Sequence, residues 1–406
     1  MRTFALWGLV LVLVGCGGGS PSGDPSPQTS DPLPGPQLLR PTPVGAALNR
    51  FQYGSAGYPS LQVFTGTLYA AWHESEKILT TDLDTPRYLP AQVFVSAWNG
   101  TEWESPSSDS LNVNPGNNAI YPRLASDGAA LYLAFTEWTS ATAASPRTAL
   151  LYVKRWNGQQ WAMVGVPLNV GLETVVYGPP ALEVAGGHLY VAWTEYSERP
   201  DAHGQVVDIQ KVYVKGWNGQ EWIPLGGALN HDQAKSANFS AMAIHNGAVT
   251  VGFFQPDLRL DEAAHENRPT LSAYIKQWTG TEWIQVGQKV QLHELPNNPS
   301  LSLASAKGRL YLAPGISMYT FSGGAWTVVH TTLSFSVYSL FSVSDTLFTI
   351  PNGLWRYDAD QWTELSEPLG VDSRFASLVA DPHSFYVGSA EQGDLSKAFV
   401  LAFPSP

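Results

Sequence analysis

Cysteine is almost missing. The 406-residue chain holds one, Cys16, so no disulfide can form within the chain and a thiolate metal site is excluded. Charge is sparse as well. Asp, Glu, Lys and Arg together make 14% of the residues, and 34 acidic against 22 basic side chains leave a net charge of −12. No basic cluster offsets that balance. Nucleic acid is therefore excluded as a partner, because binding it requires Lys and Arg to displace counterions. The same balance argues against docking of the protein surface on anionic lipid. The apolar run at residues 4–14 falls well short of the roughly 20 residues a transmembrane helix needs. The nine histidines contain no His-x-x-x-His or His-x-His spacing, which leaves no zinc signature. A Gly-x-Ser-x-Gly elbow, a phosphate-cradling loop and an Asp-x-Asp-x-Asp-Gly calcium loop are absent too. No catalytic group, metal or cofactor is expected.

What is present begins with an address. Met1-Arg2-Thr3 supplies a positive start, the apolar run follows, and Leu13-Val14-Gly15-Cys16 closes it. A positive end, an apolar middle and small residues at the cut mark a secretory signal. Leu-Val-Gly-Cys resembles a bacterial lipobox, which implies cleavage after residue 15 and acylation of Cys16. Two or more acyl chains hold a protein stably on a bilayer. Gly17 behind the cysteine, rather than Asp, permits outer-membrane sorting. The expected place is the cell envelope, outside the cytoplasm. Residues 16–40 are dense in Gly, Ser and Pro, with few charges. They read as a tether spanning about 25–30 Å as a flexible coil. Residues 41–406 are expected to form one domain.

That domain is repetitive. Trp98-Asn99-Gly100…Trp103, Trp156-Asn157-Gly158…Trp161, Trp217-Asn218-Gly219…Trp222 and Trp278-Thr279-Gly280…Trp283 share one pattern, and Phe321…Trp326 and Tyr357…Trp362 keep its aromatic ends. Before each copy, stretches such as Val212-Tyr213-Val214-Lys215 alternate with the period of a half-buried strand. Asn-Gly between two such runs predicts a tight type I′ hairpin. Two more strands lie upstream, as in Pro180 to Val184, Gly186-Gly187 and Leu189 to Trp193. The unit is thus four antiparallel strands. First strands are expected near Tyr58, Tyr121, Pro179, Phe239, Ser300, Tyr338 and Phe375. The last unit has only three strands before Pro406, and Pro43-Val44-Gly45-Ala46-Ala47-Leu48-Asn49 matches the missing fourth. Pairing of the two chain ends would close a ring and remove its open edges. The expectation is an all-β, seven-bladed β-propeller, closed by its N-terminal strand and monomeric.

The Trp-Asn-Gly-x-x-Trp hairpin, with the upstream strand end Tyr190 to Glu195, resembles the sialidase-like (BNR, Asp-box) propeller repeats of exported bacterial proteins. The resemblance spans most of residues 43–403 at the level of the repeat. Gly100 and Trp103 match the Gly and Trp of the Asp box, whereas its Asp position is held by Trp98, Trp156 and Trp217. The resemblance implies a propeller. The arginine triad, Tyr–Glu pair and acidic residue of sialidases sit on six blades and find no matching motif here.

Function is expected on one face. The second-to-third-strand connections are long in units one to four (73–90, 136–147, 194–209 and 255–269) and short in units five and six. Long surface loops carry function. If the N-terminal strand is a fourth strand, the tether leaves from the opposite face and points these loops away from the membrane. Glu74, Glu137 and Glu195 sit at equivalent strand ends, with Asp257 nearby, and are the candidate binding residues. They fit a cation site or acceptors for sugar hydroxyls, and equally solvated carboxylates that cap loop backbone, which is the expected role. Asp82 and Asp84, or Asp257 with Asp261 and Glu262, are weaker cation candidates. The tryptophan pairs are expected to pack unit against unit rather than to stack on sugars. The leading expectation is a non-catalytic binding or scaffold protein for a protein or glycan of the envelope. The alternative is a carbohydrate-binding lectin or a sialidase-like glycoside hydrolase.

Overall fold

The computed structural model describes residues 38–78, 87–106, 109–139, 147–196, 209–261, 266–292, 300–315, 317–329, 337, 339–370, 376–391 and 395–404. Cys16 and the leader, Asp82, Asp84, Glu262 and the central parts of the four long connections lie outside them. The chain divides into Met1–Gln37 and a compact unit, Leu38–Pro406. The expected domain start at residue 41 thus falls inside the compact unit, where Leu39 already bonds Leu365 and Glu367 through its backbone.

All regular elements among the described residues are strands. They form six sheets, and the eight-stranded one is two four-stranded sets joined by a single parallel pair, Val175↔Ala149. The first set runs Gly54–Phe64, Thr67–Ile78, Gln92–Trp98 and Trp103–Glu104. The third runs Val175–Ala185, His188–Tyr196, Lys211–Trp217 and Trp222–Pro224. Neighbouring strands within a set are antiparallel. Ser377–Ala380, Ser384–Ala390 and Ala398–Pro404 share a sheet with Thr42–Pro43, through Thr42↔Ala402 and Pro43↔Leu401. The two chain ends do meet in one sheet.

Three sequence expectations need correction. First strands start earlier than expected in units one to three, at Gly54, Asn118 and Val175, and two residues later in unit five, at Ser302; the expected starts Tyr338 and Phe375 lie outside the described residues. In units one to three a bulge carries the ladder upstream past the prolines. The Asn-Gly hairpins are four-residue loops rather than type I′ turns. Only the glycine takes positive φ, 99° at Gly100, and Asn99 Oδ1 accepts the N–H groups of Thr101 and Glu102, each at 2.8 Å. The local side-chain acceptor thus replaces the left-handed first residue. Finally, most of connection 255–269 is strand, not loop, because Ala248–Asp261 and Glu266–Trp278 stay paired out to Asp261↔Glu266.

The tryptophan pairs join the sets. Trp217 and Trp222 tilt against each other with centroids 5.3 Å apart, and Trp222 Nε1 donates to Val164 O of the preceding set at 2.8 Å. Trp103 donates likewise to Val44 O, Trp283 to Leu225 O and Trp326 to Val286 O. A glycine follows each acceptor. At Gly45, φ is +69° and an added Cβ would stand 2.6 Å from the Trp98 ring. Trp161 Nε1 has no partner, in keeping with Pro106-Ser107 replacing the apolar-Gly pair in the sequence of the set before it. Trp222→Phe keeps the ring stack and loses the bond. Denaturant unfolding is expected to show a loss of about 1–1.5 kcal/mol.

Candidate functional site

Glu74, Glu137 and Glu195 occupy corresponding places, and all three are consumed by the fold. Their exposures are 0%, 2% and 3%, so they are buried rather than solvated. Glu195 accepts the N–H groups of Val170 and Gly171 and, at 2.7 Å, Trp193 Nε1. Glu74 accepts Arg50 N, Phe51 N and Trp72 Nε1 at 2.9–3.1 Å. Glu137 accepts Val113 N, Asn114 N and Asn117 Nδ2 at 2.6–3.0 Å. Each carboxylate thus ties the end of a second strand to the backbone of the incoming connection. In the fourth set Gln255 does the same, accepting from Asp232 N at 2.9 Å and donating to Asp232 O and Lys235 O. A carboxylate satisfied by two or three donors in a buried place is a structural latch.

Asp257 is tied up too. It binds Lys289, accepts from Ser272 Oγ at 2.7 Å and from Leu258 N at 2.9 Å. These bonds outweigh its desolvation and hold its carboxyl below the usual range.

A different group of residues comes together where the first strands of the first three sets approach one another. Each of these strands carries a bulge, between Gly57 and Ser60, Ile120 and Arg123, and Tyr177 and Ala181. The bulged residues are Tyr58, Tyr121 and Gly178, with φ of 54°, 59° and 74°. Glycine takes that conformation freely. A tyrosine does so at a cost of about 1–2 kcal/mol. Bulges re-aim side chains, and they recur beside binding sites. Here they bring Tyr58 and Tyr121 edge to face at 4.8 Å, with His73 stacked on Tyr58 at 5.3 Å. Tyr177 forms the outer edge, 43% exposed and edge-on to Tyr196 at 6.4 Å.

Arg123 completes the group. Among the described residues its one side-chain hydrogen bond is Nη1 to Pro122 O at 3.1 Å, and burial lowers its pKa although the two tyrosines oppose this. Burial, with Arg123 beside it, pushes His73 down to about 4. The ring is therefore neutral at physiological pH, and its buried Nδ1 has no hydrogen-bond partner. Burial raises Tyr121, which keeps its hydroxyl protonated. The cluster offers aromatic faces, hydroxyls, an imidazole and one guanidinium. Among the described residues it contains no pair of carboxylates.

Sequence reading missed this cluster. Tyr58-Pro59 and Tyr121-Pro122 were the available signal, since proline inside a strand marks a bulge or an edge.

No protein-family model matches the sequence, and no curated protein matches it. Among solved structures the chain is similar to a Trypanosoma rangeli sialidase in complex with the inhibitor DANA, at 11% identity and a TM-score of 0.48, over 90% of this chain and 58% of that one. It therefore spans less than two thirds of the sialidase's length. It is also similar to the GH93 α-L-arabinofuranosidase of Fusarium graminearum in complex with arabinobiose, at 13% identity and a TM-score of 0.46, over 86% of this chain and 92% of that one. The chain thus shares a distant, all-β structural similarity with sialidase and arabinofuranosidase propellers.

Proposed function

We propose that this chain is a lipid-anchored, extracytoplasmic β-propeller of seven blades that binds glycan without cleaving it, at the tyrosine cluster on one mouth of its ring. A count of seven is supported by reading the eight-stranded sheet as two sets among the six described sheets. Closure is supported by the way the sets pack. Hydrophobic clusters bridge neighbouring sets, and one of them combines Val44, Leu48 and Val400 from the chain ends with Leu61 and Trp72 of the first set. The bond from Trp103 to Val44 O repeats the one from Trp222 to Val164 O.

The observation that carries the binding role is the pair of tyrosines held at positive φ beside an unsatisfied His73 and a scarcely bonded Arg123. Backbone strain of this sort persists where the surrounding structure imposes it, and it concentrates at ligand sites. Aromatic faces with a few convergent polar groups suit sugar rings, which present both C–H faces and hydroxyls. Most glycoside hydrolases use two carboxylates about 5–10 Å apart across the bond, sialidases with their tyrosine nucleophile being an exception. The cluster supplies none, and Glu74, Glu137 and Glu195 serve the fold.

A glycan array read alongside a fluorogenic sialoside assay tests this reading. Capture of a glycan with no release of fluorophore is the expected result. Turnover abolished by Tyr121→Ala would replace binding with catalysis. The anchor is tested separately: Cys16→Ala is expected to move the protein from the membrane fraction to the soluble one and to abolish acyl labelling.

A further inference from the structure

Glu183 lies on the first strand of the third set, opposite Tyr190 in register. Arg123 pairs with Ala134 and Ala181 with Ala192, so Arg123 corresponds to Ala181 along the repeat. Glu183 is two residues farther along the neighbouring first strand, a rise of about 6–7 Å. Both side chains are half-buried and keep part of their surface accessible. On the ring reading they line the passage along the first strands rather than a sealed core.

Neither has a charge partner among the described residues. No described ion pair includes either of them. Among the described residues, the only hydrogen bond of the Arg123 guanidinium goes to the carbonyl of its own neighbour, Pro122. Burial alone accounts for the raised pKa of Glu183, with no nearby cation to counter it. An uncompensated enclosed charge costs several kcal/mol. Two such charges of opposite sign on adjacent strands would both be relieved by one ligand carrying the complementary pair.

We propose that the passage lined by the first strands takes a small dipolar molecule, with its anionic group on the Arg123 guanidinium and its ammonium group on the Glu183 carboxylate. The proposal rests on the ring reading given above and adds a ligand class to it. Tyr58 and Tyr121 lie at the Arg123 end; Tyr58 donates its hydroxyl proton to Tyr121, which leaves the Tyr121 proton for the anionic group. The neutral His73 adds no competing charge there.

A series of ω-amino carboxylates of increasing chain length measures the separation directly, by calorimetric titration of the full chain at about pH 8, where Glu183 is ionised. Each is compared with the alkanoate and the alkylamine of the same length. One chain length is expected to bind about tenfold or more tightly than both controls. Glu183→Gln is expected to remove the advantage over the alkanoate, and Arg123→Met the advantage over the alkylamine. The proposal is overturned if no amino carboxylate outbinds its alkanoate at any length, a result that wild-type protein alone supplies. It is overturned as well if a folded Glu183→Gln protein keeps the advantage. Neither outcome bears on whether the tyrosine cluster captures glycan, which the array reads independently.

Discussion

Glu183→Gln is expected to leave stability unchanged at about pH 4 and to raise it by about 2–3 kcal/mol at about pH 8. Burial pushes the Glu183 carboxyl from 4.5 up to about 7. In the folded chain the neutral acid is therefore favoured, and the unfolded chain loses that proton first. The stabilising contribution is present in full below the unfolded value. It disappears as pH rises through the interval from 4.5 to about 7. A shift of that size corresponds to about 3 kcal/mol, and partial access to water reduces it. The amide of the variant does not titrate, so wild type and variant should diverge across this interval and run parallel above it. Denaturant midpoints measured from acid to weakly basic pH give the difference directly. Parallel curves throughout would show that the carboxyl is hydrated and ordinary.

The second large effect concerns the latches. Glu195→Ala removes the acceptor of Val170 N, Gly171 N and Trp193 Nε1 together. Each buried donor left unpaired costs about 1–3 kcal/mol, and readmitted water recovers part of the total. The expected loss is about 3–5 kcal/mol. Glu195→Gln is expected to cost far less, about 1–2 kcal/mol, because Gln255 fills the same role in the fourth set with one accepted and two donated bonds. An unfolding series on the two variants separates a latch from a surface carboxylate. If Glu195→Ala unfolds within about 0.5 kcal/mol of wild type, Glu195 is not a latch.

The repeat and its terminal strand were legible because both are local. Trp-Asn-Gly-x-x-Trp fixes one hairpin, and the match of Val44-Gly45 to Val164-Gly165 reflects one packing job, seating the next set's tryptophans against a glycine. The role of Glu74, Glu137 and Glu195 was half legible. Their equivalence showed in the spacing, and capping of loop backbone followed from their place at strand ends. Their burial did not, since it depends on where Arg50, Val113 and Val170 return in space. The tyrosine cluster was not legible as a site. Its members are spread from Tyr58 to Tyr177, and only the bulges turn them toward one another. The type I′ expectation failed at Asn99 because its side chain supplies the turn's acceptor, which dipeptide statistics do not register.

Binding of wild type, Tyr121→Ala and Glu195→Gln to one glycan array addresses the tyrosine cluster most directly. Wild type and Glu195→Gln should capture the same glycan with similar affinity, and folded Tyr121→Ala should lose about tenfold or more. Undiminished capture by Tyr121→Ala, or no glycan retained by wild type, would contradict a binding mouth at Tyr58 and Tyr121.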